Sequence, residues 1–392
     1  MRILLLIEGY KELSLPNAIC LKHIINYLKK WKINVDIISA EKEDYVSTKQ
    51  EFYFKYEKNN KLKYKIRRFF QYPLSFNEMI KNYFEIAEKL ILERSYDAII
   101  AVQNPTESAQ ALKKIKCKYP ELKVIFYEID PASNRYKFPK NCLQNFLMKR
   151  ARRWEKNIYK CMDYIIHMKS HMNHYSRREY LEFENKTFYL DIPAFRIQKK
   201  VDETINNKKI KLLYAGAFYK DIRNPEKIIE ILHIASDIVP IEVKMFVNEA
   251  MKDEIIDKCK DKSNFKISGY VQEETLSSLI NESSCLISVG NKESDFLPSK
   301  ILTYMGTQKP VIHFYYDDFD VSLPYLKKYK NAICINVNDD INKNVELLCK
   351  YLKCDLNKKS LIEKELVTQF YENTPEFTAK KILEIIKCGK SV

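Results

Sequence analysis

Apolar runs of four to seven residues recur along the chain, each followed by a turn and then a stretch with helical spacing. In the first half the pattern predicts strands at Ile3–Ile7, Val35–Ile38, Ala98–Val102, Val124–Tyr127, Tyr164–His167 and Thr187–Leu190. Helical patterns fill most gaps, at Asn17–Lys30, Asn77–Glu93, Glu107–Lys116 and Cys142–Lys160. A polar stretch around Ile197–Lys209 interrupts the rhythm. The alternation then restarts, with strands predicted at Lys211–Tyr214, Val243–Val247, Phe265–Ser268, Cys285–Val289, Val311–Phe314 and Ala332–Ile335, and a last helix at Pro375–Ile386. Continuous apolar strands alternating with helices are the mark of a parallel sheet covered on both faces. The expectation is an α/β protein of two doubly wound halves with a cleft between them. Ligands of such sheets bind at the carboxyl ends of the strands.

Composition narrows the picture. The chain has 392 residues, 46% of them hydrophobic and 12% aromatic, which excludes a disordered chain. No apolar run approaches the ~18 residues of a membrane-spanning helix. The opening Met1-Arg2-Ile3-Leu4-Leu5-Leu6-Ile7-Glu8 reads as a buried strand and not as a secretion signal. Ten scattered cysteines with no CxxC pair imply reduced thiols and a cytoplasmic setting. The 67 basic residues outnumber the 52 acidic ones, a net charge of +15 that points to anionic partners. Only six glycines occur, against roughly 27 expected at average usage. Each survivor is therefore a candidate for a position where backbone geometry demands it, and four of the six fall between 216 and 306.

That stretch also carries the chemistry. Lys211-Leu212-Leu213-Tyr214-Ala215-Gly216-Ala217 reads as a strand running into a glycine loop, with Arg223 shortly after. Gly269-Tyr270-Val271 follows another strand. Cys285–Val289 leads through Gly290 to Asp295, then to Pro298-Ser299-Lys300-Ile301-Leu302-Thr303 and Gly306-Thr307-Gln308-Lys309-Pro310-Val311-Ile312. Pro298 is preorganised for a first helical turn. Free N–H groups and the helix dipole at that start favour a phosphate, and Ser299 and Lys300 add a hydroxyl and a charge. Arg223 and Lys300 converging on a diphosphate would stabilise a nucleotide leaving group without a metal.

In this order the motifs resemble the carboxyl-terminal domain of GT-B glycosyltransferases, in particular the retaining family 4, over roughly residues 210–315. The resemblance implies two Rossmann-like domains: an acceptor-binding domain at 1–197, a linker at 198–209 and a nucleotide-sugar-binding domain at 210–372. A terminal helix at 373–392 would pack back toward the first domain. Matched position by position, it places Gly216, Ala217, Tyr270, Val271, Pro298 and Thr303 around the donor. Arg223, Ser299 and Lys300 fall on the diphosphate, and Asp295 on the donor sugar. Thr303 stands where the family has an acid for the ribose, Ala217 where it has Arg, and Gln308 where it has Gly. Glu293 is an alternative to Asp295.

For the acceptor side, the loops after the first-half strands offer Gly9 and Tyr10, Gln103 and Asn104, and Glu128 and Asp130. Many family members have a sugar-contacting His in the last of these loops, and here Asp130 or Glu128 takes its place. Residues 52–72 and Lys149-Arg150-Ala151-Arg152-Arg153-Trp154 mix charge with aromatics, which suits nucleic acid or an anionic membrane. The membrane is preferred, since the resemblance implies glycan or lipid-linked glycan acceptors, and no nucleic-acid partner is expected. His167, His171 and His174 have ligand-like spacing, but no carboxylate or Cys completes a site nearby and they follow a strand instead of occupying one helix face, so no metal site is assigned.

The combined expectation is a metal-independent, cofactor-free, retaining glycosyltransferase. It would use a nucleotide sugar, UDP-linked by preference, in surface polysaccharide or glycoconjugate synthesis, on the inner face of the plasma membrane. The alternatives are a non-catalytic GT-B partner subunit and a nucleotide-sugar epimerase.

Overall fold

The computed structural model describes residues 1–12, 16–56, 66, 69–70, 72–73, 77–103, 105–136, 142–198, 209–292, 297–356 and 363–388. The chain forms two compact units, one of Met1–Pro193 with Glu372–Val392, the other of Ala194–Tyr371.

The first unit contains β1 (Arg2–Glu8), α1 (Pro16–Lys30), β2 (Asn34–Glu41), β3 (Glu51–Lys55), α2 (Asn77–Glu93), β4 (Ala98–Val102), α3 (Thr106–Lys118) and β5 (Val124–Glu128). There follow α4 (Cys142–Tyr159), β6 (Tyr164–Met168), the single turn α5 (Met172–Tyr175) and β7 (Thr187–Leu190). Its seven strands are all parallel, in the order β3-β2-β1-β4-β5-β6-β7. Apolar side chains face both ways, as continuous apolar runs require. Ile3, Leu5 and Ile7 pack with Leu21, Ile25 and Ile382, whereas Leu4 and Leu6 pack with Tyr83, Leu112 and Trp154. The strand β3 was missed in the sequence: four of its five residues, Phe52, Tyr53, Phe54 and Lys55, sit inside the segment read there as a charged aromatic run. All are half-buried or exposed at the sheet edge, so they lack the apolar run of an interior strand.

The second unit contains β8 (Ile210–Ala215), α6 (Glu226–Ile238), β9 (Ile241–Phe246), α7 (Glu249–Cys259), β10 (Phe265–Ser268), α8 (Glu273–Glu282) and β11 (Cys285–Val289). It continues with α9 (Ser299–Gly306), β12 (Val311–Tyr315), α10 (Leu323–Lys328), β13 (Ala332–Asn336), α11 (Ile341–Lys350) and α12 (Glu363–Gln369). Six parallel strands run in the order β10-β9-β8-β11-β12-β13. The last helix, α13 (Pro375–Cys388), belongs to the first unit. There it packs beside α1, and the Lys123 ammonium donates to the Ile386 carbonyl at 2.6 Å. That cation sits on the orphan carbonyls of a helix end. Among the described residues no helix is long and apolar enough to cross a membrane.

In both sheets the strand order reverses direction beside the first strand, between β1 and β4 and between β8 and β11. Helices leave such a switch point toward opposite faces, so a crevice opens at the strands' carboxyl ends. Past the end of α9 the backbone keeps the geometry that glycine favours although the residue is Gln308, at φ 62°. The Gln308 N–H donates to the Met305 carbonyl at 3.0 Å, and its own carbonyl accepts from Asn331 at 3.3 Å. Both bonds are made by the backbone, so Gln308→Gly keeps them and removes the steric cost of a left-handed Cβ. We expect this variant to be roughly 0.5 kcal/mol more stable, read as a higher urea midpoint with unchanged slope.

Candidate functional site

The switch point of the second unit gathers most of the donor-side residues that the sequence singled out. β8 ends at Ala215 and runs through Gly216 into a loop closed by an antiparallel bridge between Tyr219 and Arg223. The neighbouring strand β11 ends at Val289 and continues through Gly290 to Asn291. Arg223 spans the gap: its Nε and Nη2 donate to Asn291 Oδ1 at 3.1 and 2.7 Å, and its Nη1 to the Ala217 carbonyl at 3.2 Å. The Lys292 N–H to the Ile222 carbonyl, 2.7 Å, fastens the two loops together.

Lys300, on the first turn of α9, approaches from the other side. Part of the side chain is exposed, yet the ammonium turns inward and donates to the Ala215 carbonyl at 2.7 Å. Loss of water around the ammonium, and then the charge of Arg223, lower its pKa. The two cations therefore lie close enough to repel. Among the described residues neither is paired with a carboxylate, and both are held by neutral oxygens. Pro298, at φ −64° and ψ 110°, starts α9, whose first N–H groups lack helical acceptors. Thr303 is half-buried three residues after Lys300 and four after Ser299, on the same helix face. A loop that closes over two uncompensated cations beside a helix start is suited to a dianion such as a diphosphate. Asp295 and Glu293 lie outside the described residues.

Two features of this site escaped the sequence reading. Asn291 carries no motif signal beyond following a glycine at a strand end, and only the adjacency of β8 and β11 brings it to Arg223. Gly290 also has a steric reason: a Cβ there would strike the carboxylate of Asp320. Asp320 is buried beside His313, with 3.4 Å between Oδ2 and Nε2. Burial opposes its ionisation, but the His313 bond and charge and the Ser322 N–H outweigh burial and keep the carboxyl below its usual range. Tyr270, after β10, is 85% exposed, and Val271 is half-buried.

In the first unit the loops behave differently from one another. Gly9, at φ 70°, donates to the Ala40 carbonyl, and the Tyr10 N–H donates to Ser39 Oγ at 3.2 Å. Burial, then the charge of Glu51, pushes the Tyr10 hydroxyl up to about 12. Gln103 is buried and its Oε1 accepts the Asp130 N–H at 3.1 Å. Asp130 Oδ1 lies 3.0 Å from His171 Nε2, with the carboxylate side chain 42% exposed. Asn104 lies outside the described residues.

Glu128 requires a correction. It was expected on the acceptor side, but its carboxylate is wholly buried and accepts from the hydroxyls of Tyr159 and Tyr175. It is a core group and does not face a ligand beside Asp130. The histidines also differ from expectation, since each faces a carboxylate that the sequence keeps far away. His171 faces Asp130, His167 Nδ1 lies 3.1 Å from Glu128, and His174 Nε2 lies 3.7 Å from Glu155. Glu155 is buried and accepts from Tyr180 at 2.5 Å and from the Ser133 N–H at 2.7 Å. Burial, then the charge of Glu155, raises the Glu128 pKa to about 8, and burial drives His167 well below its usual value. Among the described residues no group of three or more such side chains could hold a metal ion.

Two parallel Rossmann-like sheets, each with its crevice beside the first strand, define the GT-B class of fold. Solved structures of that shape cover nearly the whole chain. Sucrose-phosphate synthase from Thermosynechococcus elongatus matches with a TM-score of 0.67 at 12% identity, over 98% of each chain. An α,α-trehalose-phosphate synthase (UDP-forming) from Burkholderia xenovorans, in complex with glucose-6-phosphate, matches with 0.63 at 9%, over 98% of this chain and 99% of that one. UDP-GlcNAc 2-epimerase from Methanocaldococcus jannaschii matches with 0.57 at 15%, over 98% and 100%. No protein-family model and no curated protein matches the sequence.

Gly290→Ala should destabilise the second unit by about 1–3 kcal/mol, because the buried Asp320 carboxylate must move. Urea unfolding of the variant measures it. For Glu128 the folded pKa exceeds the unfolded value of 4.5, so the folded state holds the extra proton, and stability declines as pH rises from about 4.5 to about 8. Neutral His167 works the opposite way below its ordinary 6.5, which leaves pH 6.5–8 as the clear window. Across that window the wild type should lose roughly 1–2 kcal/mol relative to Glu128→Gln, measured as denaturation midpoints at the two ends.

Proposed function

We propose that the protein is a glycosyltransferase that moves a sugar from a nucleotide donor, UDP-linked by preference, to a hydroxyl of a glycan or lipid-linked glycan. One observation carries the reading: Arg223 and Lys300, without carboxylate partners among the described residues, stand at the β8–β11 switch point beside the start of α9. The diphosphate takes the place of the neutral oxygens that now hold both cations. Ser299 and the first N–H groups of α9 complete its shell, Thr303 reaches the ribose, and Asp295 serves the sugar. Gly216 and Ala217 line the loop around the donor, with Tyr270 and Val271 near the base. The first unit takes the acceptor through Gly9, Tyr10, Gln103, Asn104 and Asp130. We assign the chain to the retaining family 4 on the motif order alone, and place its work at the cytoplasmic side of the membrane in surface-glycan synthesis.

In the reaction the bond from the anomeric carbon to the β-phosphate oxygen breaks, and a bond from that carbon to the acceptor oxygen forms on the same face. The acceptor proton passes to the departing phosphate. Arg223 and Lys300 stabilise the charge that grows on the diphosphate, so no metal or other cofactor is invoked. A neighbour named as a UDP-forming synthase and another named as a UDP-GlcNAc epimerase both support a UDP-sugar ligand.

Calorimetry with UDP and GDP tests the binding step. UDP should bind the wild type, and Arg223→Ala and Lys300→Ala should each lower donor turnover about 10²-fold. Absence of nucleotide binding at millimolar concentration, or near-normal rates in both variants, would refute the assignment. Incubation with UDP-sugar alone separates the second reading, since an epimerase converts the donor with no acceptor present.

A further inference from the structure

The first unit holds a cavity of about 240 Å³, lined by β6, β7, the segment that joins them and the end of α4. An engineered cavity of roughly 150 Å³ already admits benzene, so a small ligand fits here. The walls are rings: Tyr159, His167, Tyr175, Tyr180, Phe183 and Tyr189. Their planes are mutually inclined, by 82° between Tyr159 and Phe183, 76° between Tyr175 and Tyr180 and 47° between Tyr175 and Tyr189. Inclined rings turn π faces toward one guest from several sides, which a flat stack cannot do. Ser176 and Glu184, also in the lining, are exposed and mark the mouth.

Three of the tyrosines are fixed from behind. Tyr159 and Tyr175 donate to Glu128, and Tyr180 donates to Glu155. Their O–H protons are thus engaged in the core, and donation to an acid leaves each ring richer in electrons. Charge then selects the occupant. In a chain of net charge +15 the lining holds one acid, Glu184, and no Lys or Arg. Glu184 meets no cation among the described residues. Burial, then the charge of Glu184, raises the Tyr189 hydroxyl above its usual range, so that carboxylate stands near that ring. His167 is kept neutral by burial and repels nothing. Lys186 and Arg177, on the same connecting segment, turn elsewhere: Lys186 donates to the Met162 carbonyl at 2.8 Å, and Arg177 Nη1 lies 3.4 Å from His174 Nδ1. We propose that this cavity binds a small organic ammonium ion, held over the ring faces by cation–π attraction with Glu184 at its mouth. A phosphate or carboxylate ligand would meet Glu184 with no counter-charge, and a free sugar would press its hydroxyls against rings. The proposal does not rest on the nucleotide-sugar reading, since Arg223 and Lys300 lie in the second unit.

Calorimetry of the full chain with choline, and with the uncharged alcohol in which a tert-butyl group replaces the trimethylammonium, tests it. The two probes share a shape and differ in charge, and choline should bind at least ~10-fold more tightly. Glu184→Gln should weaken choline about 5-fold and flatten the salt dependence of its binding. Tyr189→Leu should weaken choline about 10-fold and the alcohol little, whereas Tyr189→Phe keeps the ring and the affinity. Glu184 is exposed, so its variant should keep the wild-type melting temperature, and both Glu184→Gln and Tyr189→Phe should keep UDP binding. The proposal is overturned if choline does not bind at millimolar concentration, if the alcohol binds as tightly, or if Glu184→Gln leaves choline binding and its salt dependence unchanged.

Discussion

Everything in the second unit hangs on one adjacency, that of β8 and β11 at the point where the strand order reverses. Two strands distant in sequence end side by side, and the loops that leave them must be tied together or they will splay. Arg223 makes the tie, through Asn291 on one side and Ala217 on the other. Lys300 adds a second tie, from α9 back to the last carbonyl of β8. Both ties use neutral oxygens. A carboxylate in either place would hold the loop more tightly but would cancel the charge. Amide and carbonyl oxygens hold the cations in position and leave their charge to act on whatever enters. The depressed pKa of Lys300 follows from the same arrangement, with desolvation as the larger part and Arg223 as the smaller.

The first unit solves an opposite problem. At the ends of β5 and β6 it has carboxylates and imidazoles in excess, and it buries them against one another. Glu128 and Glu155 take tyrosine hydroxyls, and each of His167, His171 and His174 faces one acid. Burial, and then the charge of Glu155, push Glu128 up, while the bond and charge of His174 outweigh burial and keep Glu155 low. Of this set only Asp130 keeps a large exposed surface, held by His171 at its carboxylate and by Gln103 at its backbone. The network thus presents one oriented carboxylate at the sheet's carboxyl end and keeps the rest out of water.

Much of the scaffold was legible in the chain. Interior strands of a parallel sheet are buried on both faces, so β4 and β11 show as unbroken apolar runs with the bounds the sequence predicts. The edge strand β3 was not legible, because an edge in partial contact with water tolerates the charged and aromatic residues that also mark surface segments. Gly290 and Gly306 illustrate a subtler limit. Their scarcity marked them as special, but the reasons are tertiary: Asp320 crowds the first, and the backbone of Arg196 crowds the second.

Periodicity and the order of short motifs were enough, by themselves, to specify two parallel α/β sheets and to single out Arg223 and Lys300, which the fold then brings close together. Those features are local, since a strand's burial and a helix's start are written in neighbouring residues. The partners of those residues were decided only by the tertiary structure. Asn291 reaches Arg223 across 68 positions of sequence, Ala215 receives Lys300 across 85, and Glu128 receives Tyr159 across 31. Strand order brings these groups together, and strand order is a global property of how the sheet is wound. It removed Glu128 from the acceptor side, gave each histidine an acid, and set tyrosines from separate elements around one cavity.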